Sequence, residues 1–407
     1  MMTHVVMYFH VHQPHRLRQY SVFDIGNGTE YFDKKLNKEI FLRAARKCYF
    51  PSNRLLLDLI EKYEGKFKVS FSITGTWIEQ AQEFEPELIQ SFQDLVKTGH
   101  VDLLDETYYH SLAYLISEEE FKEQVKMHRK LFKELFNYKP KVFRNTEAMY
   151  SNDIARTVKD LGYKGIVAEG WHSYLGWRSP NYVYQAKGSK IKLFLRNYKL
   201  SDDISFRFST PYWEEFPLTA DKYAAWLAAS PGEVINLFMD YETFGEHQWK
   251  ETGIFDFMRH LPEHVLAYEH LDFVGINELI KMKAVDEIDV PYYSSWADMD
   301  RDLSAWLGNE MQKTAFNKLK ALESYVKRAR DIKLKEAWRR LQTSDHIYYM
   351  CTKWWSDGDI HKYFSEHVES PYYAFMNFMN VLQDLEGKLM AKIIPRESEY
   401  GEIPTSL

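Results

Sequence analysis

Short apolar runs alternate with amphipathic stretches through the first two-thirds of the chain, and this alternation constrains the fold more than any other feature. Runs rich in Val, Ile and Phe predict β-strands at 4–11, 67–73, 101–104, 141–145, 165–169, 191–197, 234–240 and 272–276. Helices are predicted between several of them, at 53–64, 85–98, 117–136 and 152–161. Repeated β-then-α order predicts a parallel sheet covered by helices, and the number of units favours a TIM-like barrel.

The sequence changes character after about residue 284, where strand patterns become scarce. Residues 300–343 have a helical pattern almost throughout, and a further helix is predicted at 371–391. The 407 residues also exceed the roughly 250–300 at which a single hydrophobic core stops growing. We therefore predict a barrel at 1–283 and a mostly helical domain at 284–407.

Composition excludes several classes of partner. The net charge of -7 disfavours nucleic acid, because phosphate binding needs a basic surface. The two cysteines, Cys48 and Cys351, exclude a disulfide framework and favour a reducing compartment. The apolar run at 4–11 is too short for a signal peptide, and no stretch approaches the ~20 apolar residues of a membrane span. We expect a cytoplasmic protein without a membrane partner.

Polar residues cluster just past the ends of four predicted strands. In a parallel barrel the chemistry lies at the carboxyl ends of the strands, and residues after different strands meet there. Chance placement of polar loops would not put acidic residues after several strands. The four clusters are 10–15 (HVHQPH), 102–110 (DLLDETYYH), 146–147 (TE) and 240–249 (DYETFGEHQW).

Glu147 and Asp240 have surroundings that predict different proton affinities. Ser151 is a suitable N-cap for the helix after Glu147, and the positive end of that helix would favour an ionised nucleophile. Asp240 ends an apolar run and has Glu242 two residues on, and both features raise a carboxyl pKa, as a general acid requires. Two carboxyl groups of this kind are typical of a glycosidase. Taken singly, each acid is also compatible with a solvated loop or a helix cap.

His10 and His12 form an H-x-H pattern at the end of the first strand. Side chains two residues apart lie on the same face of a strand, so both are predicted to face the barrel interior. A pair of this kind can hold a zinc ion or another divalent cation. It can equally donate hydrogen bonds to substrate hydroxyl groups or to internal carboxylates.

These clusters together resemble family 57 of the glycoside hydrolases, and specifically its α-amylase-like members. The resemblance covers nearly the whole chain in the right order. It rests on HVHQPHR at 10–16, GHVDLLDETYYHSL at 99–112, FRNTEAMY at 143–150, FMDYETFGEHQW at 238–249, SWADMDRDLSAWLGNEMQ at 295–312 and SDHIYYM at 344–350.

The resemblance implies an incomplete (β/α)7 barrel, with a helical domain that closes one side of the substrate cleft. It implies a retaining mechanism on α-glucans without a cofactor or a required metal, in which Glu147 is the nucleophile and Asp240 the acid/base, with carboxyl groups about 5–5.5 Å apart. Asp102 stands where the family commonly has Glu. The residues expected to contact substrate are His10, His12, Asp102, Glu242, His247, Trp249, Trp306 and Asp345.

Three other functions remain open from the sequence. A 4-α-glucanotransferase or a branching enzyme would use the same covalent intermediate with a sugar acceptor in place of water. A metal-dependent hydrolase or deacetylase would use His10 and His12 as ligands. A glucan-binding protein with a vestigial site would bind without turnover.

Overall fold

A computed structural model describes residues 2–28, 30–353 and 368–399. They form two compact units, of which the first comprises Met1–Gln13, Lys38–Tyr108 and Phe121–Trp296, and the second comprises Pro14–Asn37, Tyr109–Glu120 and Ala297–Leu407. The units differ from a single division at residue 284, because two segments that follow the first and third strands group with the C-terminal residues. The division into a barrel at 1–283 and a helical domain at 284–407 stays a prediction.

The strands and helices are as follows. The strands are β1 (Thr3–Val11), β2 (Val69–Ile73), β3 (Val101–Leu103), β4 (Val142–Arg144), β5 (Gly165–Glu169), β6 (Tyr184–Ala186), β7 (Lys192–Arg196), β8 (Val234–Asp240), β9 (Leu271–Phe273) and β10 (Glu287–Ile288). The helices are α1 (Lys34–Ala44), α2 (Phe50–Lys62), α3 (Gly75–Phe84), α4 (Glu87–Lys97), α5 (Ala113–Ile116), α6 (Glu118–Phe136), α7 (Asn152–Asp160), α8 (His172–Leu175), α9 (Tyr198–Asp202), α10 (Ala220–Ala229), α11 (Ile254–Leu266), α12 (Ser304–Leu307), α13 (Glu310–Ala329), α14 (Ile332–Arg340), α15 (Ser344–Tyr348) and α16 (Pro371–Glu399).

Seven parallel strands form the barrel of the first unit. β1 pairs with β2 and β8, β2 with β3, β4 with β5, and β5 with β7. A parallel bridge between Asp105 and Phe143 joins β3 to β4, and the N–H of Asn197 after β7 donates to the carbonyl of Asn236 in β8 at 2.8 Å. The predicted incomplete (β/α)7 barrel is therefore confirmed, with β9 pairing alongside the start of β1.

Alternation along β1 separates the inside of the barrel from the outside. Val5, Met7 and Phe9 pack in a large apolar cluster with residues of the surrounding helices, whereas Val6 and Tyr8 belong to a smaller cluster made mainly by the strands. The smaller cluster lies inside the barrel, because successive side chains of a strand point to opposite faces. This second set of positions leads directly to the site described below.

The C-terminal helical region is divided more finely than predicted. The pattern over 300–343 becomes the three helices α12, α13 and α14, because polar residues cap new helices inside it. The side chain of Asn309 accepts from the N–H of Gln312, and that of Asp331 accepts from Leu334. Arg330, between α13 and α14, has a left-handed backbone with φ of 52°.

In the part of the chain that the structure describes, none of the helices combines the length and the apolar character needed to cross a bilayer.

Candidate active site

A layer of polar side chains covers the apolar interior of the barrel at the carboxyl ends of its strands. On β1, β4, β5, β7 and β8 each member stands two residues beyond an apolar residue of the inner cluster, so it shares that residue's face. The members of this polar layer are His10, Ser72, Glu106, Arg144, Glu169, Arg196 and Asp240. Glu106, Arg144 and Glu169 have no exposed surface and Arg196 is 4% exposed. Charges buried to this degree are rare outside functional sites and ion-pair networks.

Asp240 ends β8 directly beside His10 of β1, and the Cα atoms of the two residues are register partners. The carboxylate of Asp240 is half-buried, as a group that must reach a substrate requires. Nδ1 of His10 lies 2.8 Å from the hydroxyl of Ser72 and 3.6 Å from Oε1 of Glu106. These contacts fix the imidazole ring on the inner face, which confirms the predicted direction of His10.

Glu147 lies in a turn with an unusual backbone just after β4. Its φ is 58° and its ψ 27°, and the next residue, Ala148, has a φ of 49°. Left-handed conformations are unfavourable for residues with a Cβ and collect at functional sites. The side chain of Asn145 donates to the carbonyl of Met149 at 3.1 Å and closes the turn. Ser151 caps α7 by accepting from the N–H of Ile154, as predicted.

Trp296 holds Glu147 at two points. Its backbone N–H donates to the carbonyl of Glu147 at 3.1 Å, and its indole N–H donates to Oε2 of the Glu147 carboxylate at 2.9 Å. The preceding residues reinforce the attachment, because Ser294 and Tyr150 exchange two backbone hydrogen bonds of 2.9 Å. The segment at 290–296, which we call the strap, thus fixes both the backbone and the carboxylate of Glu147.

Arg144 lies beneath Trp296 with its charge almost unpaired. The guanidinium carbon is 4.7 Å from the centre of the indole ring, within the range of a cation–π contact. None of its nitrogens has a hydrogen-bond partner among the described residues, and the nearest carboxylate oxygen, Oε2 of Glu106, is 3.8 Å away. Arg196 is 5.7 Å from the same ring. Arg196 is in turn ion-paired with Glu169 and Asp202, so Arg144 is the cation of this pair whose charge is not matched by a close carboxylate.

Glu242 lies on the turn after β8 and is 6% exposed. Its Oε1 accepts from the hydroxyl of Tyr49 at 2.5 Å and from the N–H of His12 at 3.4 Å. Burial, together with the charge of Asp240, raises the pKa of Glu242 to about 8. At neutral pH Glu242 is therefore mainly a neutral carboxylic acid, which can donate a proton in a hydrogen bond as well as accept one.

His12 and His247 complete the surroundings of Glu242. Nδ1 of the half-buried His12 is 3.0 Å from the hydroxyl of Thr74. The N–H of His247 donates to the carbonyl of Glu242 at 2.9 Å, and burial lowers the pKa of the His247 imidazole to about 4. The His247 ring is therefore neutral at physiological pH, and its contact with substrate stays a prediction.

Asp102, predicted to contact substrate, lies at the other end of the inner face. It precedes Leu104 of the inner apolar cluster by two residues, whereas Glu106 follows Leu104 by two. The Asp102 carboxylate accepts from the backbone and side-chain nitrogens of Asn277, at 2.9 and 2.6 Å, and from the hydroxyl of Tyr138 at 2.9 Å. This geometry favours a structural role for Asp102 and places Glu106 in the polar layer instead.

The remaining predicted residues differ in accessibility. Trp249 is 61% exposed, so a sugar ring can reach it, whereas Trp306 of the second unit is 1% exposed and its ring is packed in the interior. Asp345 of the second unit is half-buried in the first turn of α15. The approach of Asp345 to the substrate stays a prediction.

Glu106, Arg144 and Trp296 are the main site residues that were not singled out from the sequence. Counting by two from Leu104 and from Val142 along the inner face would have found Glu106 and Arg144. For Trp296 no local signal exists, because it is 149 residues from Glu147 along the chain.

Comparison with known proteins identifies the family of this chain. Residues 6–293 match the model of glycosyl hydrolase family 57. A candidate alpha-amylase of Methanocaldococcus jannaschii is 51% identical over 93% of this chain and 83% of its own length.

Among solved structures, the GH57-type branching enzyme of Pyrococcus horikoshii is similar with a TM-score of 0.68 at 16% identity, over 90% of this chain and 88% of that one. The 4-alpha-glucanotransferase of Thermococcus litoralis is similar with a TM-score of 0.62 at 17% identity, over 85% of this chain and 56% of that one. At such low identity these two structures support the fold. The family match over most of the chain and the 51% identical relative establish that this protein is a glycoside hydrolase belonging to glycosyl hydrolase family 57.

Proposed function

We propose that this enzyme cleaves α-1,4-linked glucans, such as maltooligosaccharides, starch or glycogen, with retention of configuration. Glu147 attacks the anomeric carbon while Asp240 protonates the departing glycosidic oxygen. Asp240 then removes a proton from water, which releases the sugar from the glucosyl-enzyme. The observation that carries the proposal is Glu147 held at the end of β4, in a barrel whose β8 ends in Asp240 beside His10.

The surroundings of the two acids suit their proposed roles. The indole N–H of Trp296 stabilises charge on Glu147, which a nucleophile must carry. The neutral Glu242 beside Asp240 can bind a sugar hydroxyl without adding a second negative charge. The substrate class rests on the name of the 51% identical relative, an alpha-amylase.

Product analysis on maltoheptaose tests the proposal. We expect only shorter oligosaccharides, and proton NMR at early times should show the new reducing end in the α configuration. Longer or branched products would instead identify the enzyme as a transferase, since a second sugar would then replace water. A β reducing end would contradict the retaining mechanism.

Metal dependence is tested in the same assay. We expect full activity after dialysis against EDTA, because the proposed double displacement uses only the carboxyl groups of Glu147 and Asp240. Loss of activity on chelation, with recovery on adding zinc, would favour the metal-dependent hydrolase.

Cys48 and Cys351 are buried and form no disulfide, which supports the cytoplasm as the proposed location.

A further inference from the structure

Trp296 combines three contacts that no single packing role requires. Its backbone N–H binds the carbonyl of Glu147, its indole N–H binds Oε2 of the same residue, and its ring face covers the guanidinium of Arg144. A tryptophan that only filled space would need none of these directional contacts. Each of them acts on the proposed nucleophile or on the charge nearest to the indole.

The left-handed backbone of Glu147 needs stabilising contacts from outside its own turn. Two successive residues, Glu147 and Ala148, are left-handed, and each such residue costs of order 1–3 kcal/mol that the surrounding structure must offset. Residues of the strap at 290–296 make these contacts. The N–H of Asn152 donates to the carbonyl of Val290 at 2.9 Å, Tyr150 pairs with Ser294, and Trp296 binds Glu147.

The charge distribution gives the indole N–H a further role. Arg144 lies 4.7 Å from the ring centre, and a cation over the ring draws electron density away from the N–H group. Arg196 lies 5.7 Å from the ring centre and is ion-paired with Glu169 and Asp202, so Arg144 supplies most of this effect. A donor polarised in this way makes a stronger hydrogen bond to a carboxylate. The other titratable groups of the polar layer are His10, whose ring centre is 6.3 Å from that of Trp296, Glu106, Glu169 and Asp240.

We propose that Trp296 is a positioning residue for the nucleophile, which fixes Oε2 of Glu147 so that Oε1 attacks the anomeric carbon, and which stabilises the ionised carboxylate. This inference rests on the proposed role of Glu147. When the glucosyl-enzyme forms, the Oε1–carbon bond forms and the bond from that carbon to the leaving oxygen breaks, so the carboxylate loses its charge. When water attacks, the charge returns, and the indole N–H stabilises the departing carboxylate.

The test removes the hydrogen-bond donor of the side chain and keeps an aromatic ring at position 296. Trp296→Phe removes the indole N–H, and Trp296 replaced by 3-benzothienylalanine removes it with almost no change of shape. With a 4-nitrophenyl α-maltooligosaccharide, we expect kcat/KM to fall about 10–100-fold in both variants, because a hydrogen bond to a charged group is lost. We also expect the acidic limb of the pH profile to move up by about one pH unit.

A matched control separates this role from simple packing. Trp226 lies on α10, with its ring 6.1 Å from that of Trp213 and outside the polar layer, so Trp226→Phe makes the same chemical change elsewhere. We expect Trp226→Phe to leave the acidic limb where it is in the wild type. If the benzothienyl variant melts like the wild type and keeps the wild-type acidic limb, the positioning role is wrong.

Failure of the proposed function gives a different result. Glu147→Ala measured in the same assay should lose nearly all turnover. Wild-type rates in Glu147→Ala would overturn the nucleophile assignment itself, whatever Trp296 does. An inactive Glu147→Ala together with an unshifted acidic limb in the Trp296 variants would overturn only the positioning role.

Discussion

The hydroxyl of Tyr49 donates a hydrogen bond of 2.5 Å to Oε1 of Glu242, and both side chains are buried. The pKa of Glu242 is raised to about 8, chiefly by burial and then by the charge of Asp240. The hydrogen bond from Tyr49 opposes this rise, because it stabilises the ionised form.

The raised pKa predicts a loss of stability with rising pH. Between the ordinary pKa of 4.5 and the folded value of about 8, the unfolded chain releases a proton that the folded protein keeps. Stability due to this group is therefore complete below pH 4.5 and is lost progressively up to about pH 8. We expect Glu242→Gln to remove this slope and to gain roughly 1–3 kcal/mol at pH 8 relative to the wild type. Urea unfolding of the wild type and of Glu242→Gln at pH 5 and pH 8 measures this difference in the free energy of unfolding.

Two neighbours supply controls of opposite sign. Asp240→Asn removes the charge that raises the pKa of Glu242, so the window of stability loss should move to lower pH. Tyr49→Phe removes a donor to the ionised form, so the window should extend to higher pH. A wild-type slope that persists in Glu242→Gln would show that other groups cause it.

Azide should distinguish the two catalytic acids. In Glu147→Ala the space of the lost carboxylate admits azide to the β face of the sugar, so an activated aryl α-glycoside should give the β-glycosyl azide. In Asp240→Ala the glucosyl-enzyme still forms from that substrate, and azide should resolve it to the α-glycosyl azide. Without azide we expect losses of about 10²–10⁴-fold on maltoheptaose for Asp240→Ala. NMR of the products determines the anomeric configuration of each glycosyl azide. An α-azide from Glu147→Ala with a β-azide from Asp240→Ala would reverse the roles of the two acids.

Asp102 and Glu106 should respond in opposite ways to the loss of charge. Asp102→Asn should lower the free energy of unfolding by about 1–3 kcal/mol, because a carboxylate with three donors is replaced, and should leave kcat/KM within about twofold. Glu106→Gln should lower kcat/KM by about tenfold or more, since it removes the carboxylate closest to Arg144. Denaturation and steady-state kinetics on both variants check this pair. Substrate binding by Asp102 would show as a raised KM in Asp102→Asn.

Trp249 is predicted to bind the distal part of a long substrate. An exposed indole face can stack on a sugar ring, and its loss costs little folding stability because 61% of the residue is exposed. We expect Trp249→Ala to raise KM for soluble starch several-fold and to leave the melting temperature almost unchanged. Equal effects on starch and on the shortest substrate cleaved would contradict a distal subsite.

Strand positions were predictable because the barrel strands are buried apolar runs. The eight predicted strands all appear, within two or three residues, whereas β6 and β10 were missed. These two strands have only three and two residues, too few to show an alternating pattern. The helical pattern at 300–343 was correct in type, but caps at Asn309 and Asp331 divide it.

The candidate site was predictable only in part, since strand-end clusters reveal Glu147 and Asp240 but not their supports. Arg144 could have been found by counting along the inner face of β4. The contact of Trp296 with Glu147 depends on the antiparallel pairing of Tyr150 with Ser294, which joins segments far apart in the sequence and which no local pattern encodes.

The strap at 290–296 sets a limit on how this enzyme can be shortened or recombined. A chain cut at residue 283 would keep all seven barrel strands and both carboxyl groups, yet Glu147 would lose the partners of its left-handed turn. Transplanting the barrel into another protein therefore requires the chain to continue through residue 296, because two distant stretches of sequence together set the geometry of the nucleophile.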